Sequence, residues 1–188
     1  METKMYPKQN IEIEVQNIVA TVKLADNLNL GKIVLVLEDS EYNPSEFPGL
    51  IYRLPEFNTA VLLFKSGMMN CTGAKNEELL EKTVKTVIRK LIEAGINVDS
   101  NPKIAVKNIV ALTDLKKVLD LPDLAMALGL ENIEYEPEQF PGLIYRIEEK
   151  KITFLIFRSG KVVCTGGTNI KEIEEAVELL RENIEKVT

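Results

Sequence analysis

The chain contains itself twice. Phe-Pro-Gly-Leu-Ile-Tyr-Arg at 47–53 recurs at 140–146, 93 positions on, and Cys-Thr-Gly at 71–73 recurs at 164–166. Over 47–73 against 140–166, 15 of 27 positions are identical. Upstream, Asn-Ile-Val-Ala at 17–20 matches 108–111 at an offset of 91, so the second copy holds two extra residues in between. Two copies are too few for a solenoid, which needs at least three repeats. They predict two similar halves related by a pseudo-twofold axis, an object suited to a partner with its own approximate twofold symmetry, such as duplex DNA.

Each copy reads as strand, short helix, four strands, long helix. Ile13, Val15, Asn17, Val19 and Thr21 share one face of an alternating run and Ile18, Ala20 and Val22 the other, which is strand periodicity. The run 30–38 is ambiguous by itself. Its counterpart at 121–129 has Pro122 early and Gly129 at its end, so both are expected to be helices. Residues 39–44, 50–55, 59–65 and 68–73 read as short strands, with Ser66-Gly67 and Ser159-Gly160 as hairpin turns. Asn76 is the expected cap of a helix running to Ala94, with Leu80, Val84, Val87, Ile88 and Leu91 as its apolar stripe. Asn169 is expected to cap the matching helix, with Ile173, Val177 and Leu180 on one face. The expected organisation is a tail over 1–10, a first repeat over 11–95, a linker over 96–102 and a second repeat over 103–188. The fold class is α+β: ten strands in one antiparallel sheet with the helices on one side.

Composition narrows the function. Hydrophobic residues make up 45% of the chain, enough for a packed core. No apolar run is long enough to cross a membrane, and the first residues lack the apolar stretch of a signal peptide, so an intracellular protein is expected. With no histidine and two cysteines, a standard zinc site cannot be built. Cys71 and Cys164 sit in strand-like runs and read as small buried hydrophobes. No metal, no cofactor and no catalytic residue is expected. Thr72-Gly73-Ala74-Lys75 lacks the earlier glycine of a phosphate-binding loop and the hydroxyl residue after its lysine.

The net charge of −6 counts against a generic DNA binder. Residues 1–100 carry 11 basic and 14 acidic side chains, and 101–188 carry 12 and 15. Placement answers the objection. Glu77, Glu78, Glu81 and Glu93 fall in the first long helix, and Glu172, Glu174, Glu175, Glu178, Glu182 and Glu185 in the second. Arg53, Lys65, Arg146, Lys151, Arg158 and Lys161 fall on strands and hairpins, where they are candidates for phosphate contact.

The strands are apolar on both faces. Leu62 and Phe64 share one face and Val61 and Leu63 the other; Phe154 and Ile156 oppose Leu155 and Phe157. Only one face can meet the helices. The other calls for a second layer, an obligate dimer, or a macromolecular partner with an apolar floor such as the DNA minor groove. Asn17 and Asn108 interrupt these faces at equivalent positions. An asparagine there is either a core residue satisfied by backbone or a donor to adenine N3 and thymine O2. Thr72 and Thr165 can bond through their hydroxyls in the same way. Asn70 offers an amide oxygen that can accept from guanine N2. Phe47, Phe64, Phe140 and Phe157 flank turns, with one pair of the same separation in each copy.

Together these motifs resemble the TATA-binding protein family: Gln-Asn-Ile-Val (Lys for Gln in copy two), Glu-Tyr-x-Pro-x-x-Phe-Pro-Gly-Leu-Ile-Tyr-Arg, Leu-x-Phe-x-Ser-Gly and Cys-Thr-Gly, spanning about residues 11–186. The near-symmetric copies and short tail are similar to the archaeal type, which implies the cytoplasm and nucleoid as location. The resemblance implies a saddle-shaped sheet that binds and bends the TATA box and recruits transcription factor B and the RNA polymerase machinery. It assigns intercalating roles to Phe47, Phe64, Phe140 and Phe157 and central hydrogen bonds to Asn17, Asn108, Thr72 and Thr165. It assigns groove-floor packing to Val19, Val110, Leu62, Leu155 and Val163, and phosphate contacts to Arg53 and Arg146. Glu136, Glu138 and Gln139 are implied contacts to transcription factor B. Met68 and Asn70 stand where the family has a basic residue and a valine, which the second copy keeps as Lys161 and Val163. A monomer on DNA is expected, with self-association of the free protein through its apolar face an open alternative. The competing function is a protein-binding scaffold of the same fold without DNA binding.

Overall fold

The computed structural model describes residues 12–187, so the expected tail over 1–10 lies outside the described residues. Ten strands are present among the described residues: β1 (Ile13–Lys23), β2 (Ser40–Glu41), β3 (Leu50–Leu54), β4 (Thr59–Leu63) and β5 (Met68–Ala74), then β6 (Ile104–Asp114), β7 (Ile133–Glu134), β8 (Leu143–Ile147), β9 (Ile152–Ile156) and β10 (Lys161–Thr165). The helices are α1 (Leu30–Ile33), α2 (Glu77–Glu93), α3 (Leu121–Leu128) and α4 (Ile170–Val187). The strands form one antiparallel sheet in the order β2-β3-β4-β5-β1-β6-β10-β9-β8-β7. Each copy therefore contributes the same run of five strands, as the repeat requires.

By proximity of backbone the chain forms two compact units. One comprises 15–110 with 166–170, and the other comprises 111–165 and 171–187 with 12–14. In the first unit, Ile18, Ala20, Val22, Leu50, Leu54, Val61, Leu63, Met69 and Cys71 are buried on one face of the sheet. Leu80, Val84, Val87, Ile88 and Leu91 of α2 are buried with them, which is the stripe its 3.6-residue period predicts. In the second unit, Leu143, Phe154, Ile156, Val162 and Cys164 are buried together with Ile173, Ala176, Val177, Leu180 and Ile184 of α4. Burial pushes the Cys71 thiol up to about 11 and the Cys164 thiol up to about 12, so both behave as the apolar fillers their setting predicts.

Caps appear where expected in the first copy. The Leu79 N–H donates to Asn76 Oδ1 at 2.7 Å, closing the start of α2. Asp120 caps α3 in the same way, accepting from the Asp123 N–H at 3.1 Å, with Pro122 in the first turn and Gly129 at the end with φ 86°. Asn169 immediately precedes α4.

Two expected elements shrink. The helix expected over 30–38 is α1, which stops at Ile33 and gives way to turns. Leu35 and Val36 then stand exposed, and the β-branched residues Val34 and Val36 add little helical propensity to hold a longer element. The strand expected over 39–44 is only Ser40–Glu41. Its remaining length is spent on a turn in which the Asn43 carbonyl accepts from the Glu46 and Phe47 N–H groups at 3.1 and 3.0 Å.

Candidate nucleic-acid interface

Alternation along each strand sends half its side chains away from the helices. In the first unit, register places Glu41, Ile51, Leu62, Asn70 and Thr21 in one row across β2, β3, β4, β5 and β1. Arg53, Ala60 and Thr72 form the next row. In the second unit the equivalent rows are Glu134, Ile144, Leu155 and Val163, then Arg146, Thr153 and Thr165. These side chains are half-buried or exposed, whereas their strand neighbours on the other face are mostly buried. Val15, Val19, Val106 and Val110 extend the same half-exposed face along β1 and β6. The result is a sheet face with an apolar floor and no helix described over it, interrupted by a few polar groups at repeated places.

The asparagines are fixed by backbone. The Gly73 N–H donates to Asn17 Oδ1 at 2.7 Å, and the Gly166 N–H donates to Asn108 Oδ1 at 2.7 Å. Asn17 Nδ2 also lies 3.1 Å from Thr72 Oγ1 as donor. Of the two readings made from the sequence, the structure shows the backbone one: a glycine N–H satisfies each asparagine carbonyl, and doing so orients the amide. Gly73 makes this possible. It sits where the β1–β5 ladder slips by a residue, with φ 96°, and a Cβ there would lie 2.6 Å from the Asn58 carbonyl oxygen.

The phenylalanines form two pairs. Phe47 and Phe64 meet edge to face with centroids 6.0 Å apart, and Phe140 and Phe157 do so at 5.8 Å, both with an interplanar angle of 66°. Each pair closes over a glycine: a Cβ on Gly49 would lie 2.7 Å from Phe47 Cε1, and one on Gly142 would lie 2.7 Å from Phe140 Cε1. All four rings are half-buried, although a phenylalanine beside a strand is ordinarily core.

The basic residues divide. Arg53 Nη1 bonds Glu41 Oε1 at 2.7 Å, and Arg146 Nη1 bonds Glu134 Oε2 at 3.1 Å. Sequence reasoning missed these repeated ion pairs; the signal was the equal spacing of Glu41 to Arg53 and Glu134 to Arg146, meaningful only once β2 and β7 are known to be edge strands. Lys65 and Arg158 stand exposed on hairpins, Lys151 closes a 3-10 turn in left-handed conformation at φ 53°, and Lys161 opens β10. Glu136, Glu138 and Gln139 share one exposed turn, where the Gln139 amide bonds the Glu136 carboxylate. Among the described residues no cluster of acidic or cysteine side chains could hold a metal, and no helix is long and apolar enough to cross a membrane.

A duplicated antiparallel sheet with one helix-covered face, one open apolar face and twin phenylalanine pairs defines the class: a two-repeat α+β sheet protein. The model of the family described as transcription factor TFIID, or TATA-binding protein, matches twice, over 12–94 and 103–187. The TATA-box-binding protein of Picrophilus torridus is 57% identical over 94% of this chain and 96% of its own, and that of Thermoplasma acidophilum is 56% identical over the same shares. A solved structure of the Methanococcus jannaschii protein is 44% identical, with a TM-score of 0.88 over 94% of this chain and 99% of that one. The chain belongs to the TATA-binding protein family of transcription factors.

Proposed function

We propose that this chain is a general transcription initiation factor that binds the TATA box in the minor groove through the open face of its sheet, bends the duplex by phenylalanine insertion, and recruits transcription factor B and RNA polymerase. The observation that carries the reading is the repeated coupling of apolar floor, oriented asparagine and phenylalanine pair in both units. The minor groove of A·T-rich DNA offers sugars along its walls and few polar groups on its floor, so apolar side chains match it better than a charged surface does. Asn17 and Asn108, with Thr72 and Thr165, address the adenine N3 and thymine O2 acceptors. Val19, Leu62, Val110, Leu155 and Val163 pack on the floor, while Asn70 brings a polar group to it. Arg53, Lys65, Arg146, Lys151, Arg158 and Lys161 supply the phosphate contacts. Phe47, Phe64, Phe140 and Phe157 wedge between base steps; each unstacking costs a few kcal/mol, which the added contact with bent DNA offsets.

The test is a titration of an end-labelled TATA duplex and a scrambled duplex, with energy transfer reporting the bend. The TATA duplex should bind tightly and bend. F140A/F157A should weaken binding by at least tenfold and reduce the bend. An unchanged bend in that variant would falsify the wedge assignment, and binding of neither duplex would favour the protein-binding scaffold without DNA binding.

A further inference from the structure

The two copies share a strand order but differ on the floor of the open face. In the first unit Asn70 stands directly across the β1–β5 ladder from Thr21, giving a polar pair. In the second unit Val163 takes the place of Asn70, and the repeat offset matches Leu112 to Thr21, so both counterparts are apolar. Leu112 is one of the few large apolar side chains that remain exposed. Asn70 and Thr21 are both half-exposed, so their polar groups remain accessible from the open face.

We propose that the two halves of the face read different base pairs: the Thr21–Asn70 pair accommodates a G·C pair in the minor groove, and Leu112 and Val163 exclude one. The inference rests on the minor-groove reading above. A·T and T·A pairs present only acceptors there, and a G·C pair adds the guanine N2 amino donor at the groove centre. Asn70 Oδ1 can accept from that amino group, and its Nδ2 can still donate to a neighbouring acceptor. Leu112 and Val163 offer no acceptor, so a guanine beneath them loses a hydrogen bond to water and gains none, a penalty on the order of tenfold in affinity. A protein with unequal halves can turn over on a symmetric box to put its tolerant half on the single G·C pair. One G·C pair therefore sets the direction in which the protein sits, and a second, at the mirror position, cannot be avoided.

Binding is measured on a palindromic A/T box, on the same box with one G·C pair at either of two mirror positions, and with G·C at both, scanning the mirror positions in turn. At the position the rows cover, wild-type protein should lose less than about threefold for one G·C pair and on the order of tenfold more for the second. N70V should lose about tenfold on the first pair already, and V163N should tolerate both. Equal, multiplicative penalties for the first and second pairs at every mirror position in wild-type protein overturn the proposal, as does an N70V profile identical to wild type. Failure of wild-type protein to bind the unsubstituted box would instead overturn the minor-groove reading on which it rests.

Discussion

At the scale of single residues, the asparagines are held by the backbone, and the role proposed for them at the bases can be tested apart from that hold. Asn17 spends its carbonyl on the Gly73 N–H, and Asn108 spends its carbonyl on the Gly166 N–H. The bond costs the amide none of its donor protons and fixes which way they point. Aspartate at the same positions would keep the backbone bond, since a carboxylate accepts equally well, but would exchange the donor for a negative charge. N17D and N108D should therefore melt close to wild type and lose TATA affinity by roughly a hundredfold each, because an unmet acceptor and a like charge near the bases both oppose binding. A melting temperature lowered in step with affinity would show the asparagines to be packing residues only. Another residue-scale contrast lies on the buried side. Thr59 and Thr83 share a buried hydrogen bond at 3.1 Å, and the second copy replaces both at once, with Ile152 and Ala176. Either solution leaves neither hydroxyl orphaned, whereas replacing Thr83 alone would strand Thr59; Thr83 itself also donates to the Leu79 carbonyl at 2.8 Å.

At the scale of elements, the turns before β3 and β8 share a backbone and differ in charge. In each, one carbonyl, Asn43 or Glu136, accepts two N–H groups before the phenylalanine. The first turn carries Asn43 and Ser45, and the second carries Glu136 and Glu138. A partner with a basic surface would therefore be held by the second turn and not by the first, which would distinguish the two copies. E136K/E138K should keep DNA binding and lose the complex with transcription factor B, through like-charge repulsion. N43K/S45K should leave that complex largely intact. Equal loss of the supershifted band in both variants would mean that neither turn is distinguished by its charge. Element lengths were less legible than element order. The expected 30–38 helix ends early where Val34 and Val36 add little helical propensity, the expected 39–44 strand ends where the Asn43 turn takes up the chain, and no local pattern reveals how tightly a turn will close.

For the whole molecule, the issue is how a chain of net charge −6 grips a polyanion. The long helices carry 10 of the 23 glutamates and 7 of the 23 basic residues, so half of the deficit, −3, sits on helix surface. The ion pairs add a second device, since Glu41 and Glu134 neutralise Arg53 and Arg146 at the ends of the apolar rows. Exposed pairs of this kind contribute little stability, about 0–1 kcal/mol, so the carboxylates are readily displaced by phosphate. Counterion release gives a log–log salt slope of about −0.9 per phosphate neutralised. A displaced carboxylate takes up a cation as the phosphate gives one up, so the two paired arginines add no net release; four basic candidates set a slope of roughly −3.6, and E41Q/E134Q should steepen it toward roughly −5.4. An unchanged slope in that variant would mean the arginines do not reach phosphate, and a wild-type slope near −10 would reveal a basic surface outside these six residues.

The sequence alone determined the duplication, the order of strands and helices within each copy, the apolar stripes of α2 and α4, and the candidate residues of the interface. All of these follow from local periodicity and from two copies that check each other, so an ambiguous run such as 30–38 could be read from its partner at 121–129. Only the tertiary structure decided which groups meet across strands. That Gly73 holds Asn17, that Phe47 closes over Gly49 onto Phe64, that Glu41 reaches Arg53 and that Thr21 lies beside Asn70 all depend on register between segments up to 56 residues apart. Register is set by the joint burial of many side chains on the helix-covered face, where a slip of one residue would turn every buried group outward. No short stretch of sequence carries that information, because the energy that selects the register belongs to the assembled core.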